Sequence, residues 1–268
     1  MFNIPNLFTA CNMLCGIIAI FLSFAGRIDL APYPIFLGAV LDFFDGFLAR
    51  LLKQQGELGK QLDSLADMIT FGVAPGVMMM VLLINISNGS VFSESLMFSQ
   101  MPASDWLNAS HNFRDFDWVP LVALFIPFMS LFRLAKFNLD TRQSESFIGL
   151  PTPANTIFFT AFPLILVNSD NATPFQQTLI DLVFQPAVLV PVIVIMSLLL
   201  LAEIPLFSLK FKHFKWSGNQ VRYVFLIICL ILIPTLLVWS IPIIVLLYVV
   251  LSVIENIFFK KKQHEIQS

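Results

Sequence analysis

Charge is scarce in this chain. Only 12% of its 268 residues are Asp, Glu, Lys or Arg, about half the share of an ordinary soluble domain. Hydrophobic residues make up 57%, and the mean hydropathy is +0.84. Such a composition excludes a soluble globular enzyme. Its few basic clusters sit between apolar stretches, so no nucleic-acid partner is expected. Cysteine is equally sparse: Cys11, Cys15 and Cys229 all fall inside apolar stretches, where a free thiol behaves as a small hydrophobe. No disulfide framework follows. The three histidines, His111, His213 and His264, lack the spacing of a zinc site. No basic segment precedes the first apolar run, so no cleavable signal peptide is expected. There is no internal repeat, low-complexity tract or second domain.

What is present is hydrophobic sequence in blocks of bilayer-spanning length. Eight candidates run over 7–26, 31–51, 61–84, 119–139, 151–168, 184–206, 221–239 and 241–259. The fold class expected is an all-α polytopic membrane bundle of about eight transmembrane helices, with six or seven as alternatives. Thirteen of the fifteen Lys and Arg residues fall on one side if eight spans alternate; only Arg27 and Arg114 lie opposite. The positive-inside rule then places both termini in the cytoplasm. Lys210, Lys212 and Lys215 alternate with Phe211 and Phe214, as in a segment anchored on anionic lipid. Residues 1–206 are expected to form the core, and 207–268 a basic cytoplasmic loop and a C-terminal transmembrane hairpin of the same membrane domain.

Against this background, acidic residues at membrane depth stand out. Asp42 and Asp45 are three apart, and Asp63 and Asp67 four apart. Each spacing puts a pair on one helix face, and the orientation rule brings both pairs to the cytoplasmic interface on helices joined by a short loop. A buried carboxylate costs roughly 2.5–3.5 kcal/mol on insertion scales, and four together repel. Hard divalent cations bound through oxygen are the natural counter-charge, and such cations commonly engage phosphate. Gly46 and Ala49 lie beside the aspartates and Gly59 begins the next segment; small residues permit close approach of a helix or ligand. Arg50 and Lys53 add positive charge nearby.

The run Asp42-x2-Asp45-Gly46-x2-Ala49-Arg50-x8-Gly59-x3-Asp63-x3-Asp67 resembles the signature of the CDP-alcohol phosphotransferase family at every fixed position. The resemblance implies transfer of a phosphoryl-bearing group from a CDP-linked donor to an alcohol, with release of CMP. It implies two divalent cations, Mg²⁺ or Mn²⁺, held by Asp42, Asp45, Asp63 and Asp67. Asp67 would also serve as general base, and Gly46, Ala49, Arg50 and Gly59 would line the nucleotide site. Pro5-Asn6-Leu7-Phe8-Thr9 resembles a family element that brings Asn6 and Thr9 to the nucleotide. The family also implies a homodimer, and a cell inner membrane location if the chain is bacterial, with the active site facing the cytoplasm.

Three further segments bear on the acceptor. Thr70-Phe71-Gly72-Val73-Ala74-Pro75, Phe132-Arg133-Leu134-Ala135-Lys136-Phe137-Asn138 and Gly149-Leu150-Pro151-Thr152-Pro153-Ala154 resemble elements of integral-membrane phosphatidylserine synthases. Gly72 and Pro75 are expected to bend or loosen the helix just past Asp67. Arg133, Lys136 and Thr152 are expected near the acceptor or a lipid phosphate. The implied substrates are CDP-diacylglycerol, lying in the bilayer, and L-serine. A sister enzyme using glycerol 3-phosphate or an inositol phosphate is the alternative. A cation transporter is the alternative from a different class; it has no need of the whole Gly46, Ala49 and Arg50 pattern.

Overall fold

The apolar blocks form helices in the computed structural model, which describes residues 3–87, 102–109, 116–140, 147–207, 216 and 219–267. The basic segment at Lys210, Lys212 and Lys215, together with Arg114 and Arg142, lies outside these residues. Helix α1 (Ile4–Phe24) starts where the Asn3 side chain accepts from the Asn6 N–H at 2.9 Å, with Pro5 in the first turn; proline suits that position because its missing N–H would be unpaired there anyway. Gly26, at φ 76°, turns the chain into α2 (Pro32–Leu51), so the two helices form an antiparallel hairpin. After a short loop, α3 (Glu57–Asp67) passes through a π-helical turn (Met68–Val73) into α4 (Ala74–Ser87).

Together Glu57–Ser87 form one 31-residue element whose apolar window is 83% buried, against 33%, 28% and 11% for the other apolar stretches of spanning length. It is therefore the central helix. Met78, Met79, Leu82, Leu83 and Ile84 are fully enclosed, as expected of a helix that is apolar on every side. Around it lie α5 (Pro102–Ala109), α6 (Phe125–Leu139), α7 (Thr152–Val167), α8 (Pro174–Val183), α9 (Pro186–Leu199), α10 (Gln220–Leu236) and α11 (Ser240–Gln267). The chain is all-α except for one antiparallel pair among the described residues. There β1 (Phe147–Ile148) meets β2 (Pro205–Leu206), with Phe147 opposite Leu206.

Among the described residues four stretches are long and apolar enough to cross a bilayer, or five if the bent pair α8 and α9 is one span. This is fewer than the eight expected: α2 is not among them, and three further differences have identifiable reasons. Helix α7 has 16 residues, short of the roughly 20 a span needs. Helices α8 and α9 meet at 71°. Gln220–Ile257 counts as one 38-residue stretch, yet Leu237 adopts φ 48°, and the Phe225 and Tyr248 rings on either side lie 5.8 Å apart. That stretch doubles back as a hairpin.

Two glycines let α1 and α2 close on the π turn. A Cβ on Gly16 would lie 2.6 Å from Thr70 Oγ1 and 2.7 Å from Thr70 Cα; one on Gly38 would lie 2.7 Å from Thr70 Cγ2. The Thr70 backbone cannot yield at Gly16, so Gly16→Ala should destabilise the protein by about 1–3 kcal/mol, the usual cost of overpacking. A thermal melt in detergent should show a lower Tm for this variant; an unchanged Tm would contradict the close crossing.

Candidate active site

The α1–α2 hairpin and the α2–α3 loop bring the acidic residues together. Asp42, Asp63 and Asp67 each place one carboxylate oxygen within 4.8 Å of the other two. Asp45, three residues past Asp42 on α2, is turned toward α1, where Thr9 Oγ1 donates to its Oδ2 at 2.6 Å. Asp45 and Asp67 are buried, at 5% and 9% exposed. Among the described residues the salt bridges join Arg27 to Asp29 and Lys136 to Glu203, so no Lys or Arg neutralises any of the four aspartates. If ionised, each clustered pair repels by at least roughly 3 kcal/mol at an effective dielectric near 20. An all-oxygen, acidic, converging donor set without protein counter-charge fits hard divalent cations.

Beside the cluster lies a cavity of about 500 Å³, within the usual range for small-molecule sites. Asn6 and Thr9 from α1, Asp45, Gly46, Ala49 and Arg50 from α2, and Gly59 and Asp63 from α3 all line it. The six residues expected at the nucleotide therefore share one wall system, and two of the aspartates form its edge. A Cβ at Gly46 would meet nothing within 4 Å, so this glycine is not packed against another helix; it faces open space. Arg50 is exposed on the same wall, with no ion-pair partner among the described residues. Helix α3 begins at the cavity with no side chain capping its first turn. Its unpaired N–H groups add partial positive charge there.

Beyond Asp67 the helix loosens, as Gly72 and Pro75 suggested, but through a π turn rather than a break. Such turns free backbone carbonyls and recur at functional sites. Here Thr156 Oγ1 on α7 donates to Phe71 O at 2.7 Å, and a Cβ on Gly72 would sit 3.2 Å from Ser130 Cβ on α6. The π turn is thus gripped by α6 and α7 as well as by α1 and α2.

The expected acceptor residues are placed differently from the nucleotide set. Arg133 is buried and donates from Nε to Leu150 O at 3.2 Å. Its guanidinium also stacks over Phe137, 5.6 Å from the ring centroid. Lys136 Nζ pairs with Glu203 at 3.3 Å on the surface. Thr152 is buried at the start of α7, and its carbonyl accepts from Thr156 Oγ1 at 3.0 Å. None of the three lines the nucleotide-sized cavity.

Two residues at the site were not singled out for a role by the sequence. Asn12 is fully buried and donates from Nδ2 to Asp67 Oδ1 at 3.2 Å. Thr70 Oγ1 donates to Asn12 O at 2.8 Å. The available signal was the helical register of Asn6, Thr9 and Asn12, three polar groups three apart in an otherwise apolar helix.

A family model for CDP-alcohol phosphatidyltransferases matches residues 2–254. The chain is 33% identical over 150 residues to a CDP-diacylglycerol–serine O-phosphatidyltransferase of Bacillus subtilis, covering 56% of this chain and 69% of that protein. It is 27% identical over 264 residues to the enzyme of the same name from Helicobacter pylori strain J99, covering 98% of this chain and 94% of that one. An archaetidylserine synthase of Methanothermobacter thermautotrophicus is 27% identical over 177 residues, covering 64% of this chain and 62% of its own. With a family match across nearly its whole length and apolar helices throughout, this integral membrane protein belongs to the CDP-alcohol phosphatidyltransferase family and is a phosphatidyltransferase.

Proposed function

We propose that the protein transfers the phosphatidyl group of CDP-diacylglycerol to the hydroxyl of L-serine, giving phosphatidylserine and CMP. The observation that carries this is the cavity in which Asn6, Thr9, Gly46, Ala49, Arg50 and Gly59 converge beside the carboxylates. Serine as acceptor is supported by the names of the Bacillus and Helicobacter relatives. The segments Thr70–Pro75, Arg133–Asn138 and Gly149–Ala154 point the same way.

In this reading Asp42, Asp45, Asp63 and Asp67 hold two divalent cations, Mg²⁺ or Mn²⁺. Bound there, the cations neutralise charge on the pyrophosphate and on the departing CMP. Arg50 and the free N–H groups of α3 add to that positive field from the protein side. Gly46 admits the nucleotide close to the α2 backbone. Asp67 takes the proton from the serine hydroxyl as its oxygen attacks the phosphorus bearing diacylglycerol. The bond from that phosphorus to the CMP oxygen breaks, and CMP leaves. The acyl chains stay in the bilayer beside the apolar helix faces. The charge bias of the loops supports a site at the cytoplasmic interface, where serine arrives from water.

Purified protein given CDP-diacylglycerol, labelled serine and Mn²⁺ should form phosphatidylserine and CMP in equal amounts. A chelator should stop both, and added Mg²⁺ or Mn²⁺ should restore them. Product from glycerol 3-phosphate but not from serine would transfer the assignment to a sister activity. Asp67→Asn should reduce turnover by roughly 10²–10⁴-fold, the range for a lost general base, while calorimetry still detects donor binding. Asp42→Asn should weaken donor binding as well. Gly46→Ala separates ligand approach from packing. Its Tm should hold or rise, since alanine favours a helix by up to about 1 kcal/mol, while the KM for CDP-diacylglycerol increases.

A further inference from the structure

We infer that Asn12 is a positioning residue for Asp67, fixing the direction of the carboxylate that receives the acceptor's proton; the inference rests on the role proposed above for Asp67. A carboxylate that helps hold a cation and also accepts a proton must present its two oxygens in different directions. Turning the carboxylate plane about its last side-chain bond would re-aim both. The Asn12 amide holds Oδ1 of Asp67 at 3.2 Å, which blocks that rotation and fixes where Oδ2 points.

Asn12 is itself clamped. Its backbone carbonyl accepts from Thr70 Oγ1 at 2.8 Å, and Thr70 lies three residues past Asp67 in the same helical element. Movement of the base relative to α1 is therefore opposed at two points. The amide fits because α2 carries glycine opposite it: a Cβ on Gly38 would stand 2.9 Å from Asn12 Oδ1. The orientation of the amide is fixed by chemistry, since the flipped form would put its oxygen against a carboxylate oxygen. Its Oδ1 is fully buried without a hydrogen-bond partner among the described residues. The end of the amide that is engaged is the donor, which meets Asp67.

Two substitutions test this in the full-length, metal-loaded protein in detergent, with whichever acceptor the unaltered protein turns over. Asn12→Ala empties the position. Asn12→Asp keeps its volume and replaces the amide hydrogens with a second carboxylate. Both should lower kcat by about 10–100-fold, the usual cost of losing a partner that orients a metal-site ligand. The KM for CDP-diacylglycerol should stay within about twofold. Metal-dependent CDP binding and the melting curve serve as the measure of folding. Adding Asn12→Ala to Asp67→Asn should cost no more than Asp67→Asn alone, because the amide acts through that carboxylate. Full turnover in Asn12→Asp would overturn the inference, as would additive losses in the double variant. If Asp67→Asn itself retains full turnover, the proposed base role falls. If Asp67→Asn is inactive while both Asn12 variants run at full rate, only the positioning role falls.

Discussion

Three carboxylates converging within 4.8 Å inside an apolar helix bundle form an arrangement that repels itself, and the architecture makes sense as the means of enforcing it. Asp42 and Asp63 lie on separate helices, so their approach depends on α2 and α3 both packing against α1. Asp67 depends in addition on how the central helix is held. A ligand of opposite charge is what such a cluster is built to receive. Among the described residues none is supplied by the protein: the ion pairs lie elsewhere, at Arg27–Asp29 and Lys136–Glu203. The negative charge is left for something that binds.

Placement of the cluster is achieved by contacts with little tolerance. Gly16 and Gly38 bring α1 and α2 against Thr70 at distances no side chain could occupy. Thr9 joins α1 to Asp45, and Asn12 joins α1 to Asp67. The same face of α1 thus meets one carboxylate from each of the two acidic helices. On the other side of the central helix, Thr156 bonds a carbonyl of the π turn. Farther along, Asn138 Nδ2 donates to Ser64 Oγ at 2.8 Å, and Lys60 Nζ to Asn138 O at 2.9 Å. The segment carrying Asp63 and Asp67 is held from both sides, which is what precise aiming of charged groups at a bound substrate requires.

The aspartates were legible in the sequence because an ionisable residue in apolar surroundings is conspicuous and because spacings of three and four report a helix face directly. The helices were legible for the same reason of contrast. Asn12 was not, since its partner Asp67 lies 55 residues away, and no local pattern in α1 specifies that pairing. Lys136 was singled out by the resemblance of its segment, whereas its contact with Glu203, distant in sequence and at the surface, is set by the fold and has no local pattern. The span count met a limit of composition: hydropathy cannot distinguish a straight crossing from the bend between α8 and α9, whereas the reversal at Leu237 lies beside the break expected between 221–239 and 241–259.

The distribution of unpaired polar groups adds an independent argument about where function is concentrated. Buried side-chain atoms without a hydrogen-bond partner among the described residues belong to Asn12, Ser130, Asn155 and Ser197. Each such group costs about 1–3 kcal/mol, and natural chains keep few of them. They are not scattered. Asn12 touches Asp67, Ser130 packs against Gly72, and Asn155 adjoins Thr156, whose hydroxyl bonds Phe71. Three of the four residues thus sit on α1, α6 and α7, where these helices grip the π turn just past Asp67. Unpaired polarity thus gathers around the turn that loosens the central helix, just past Asp67.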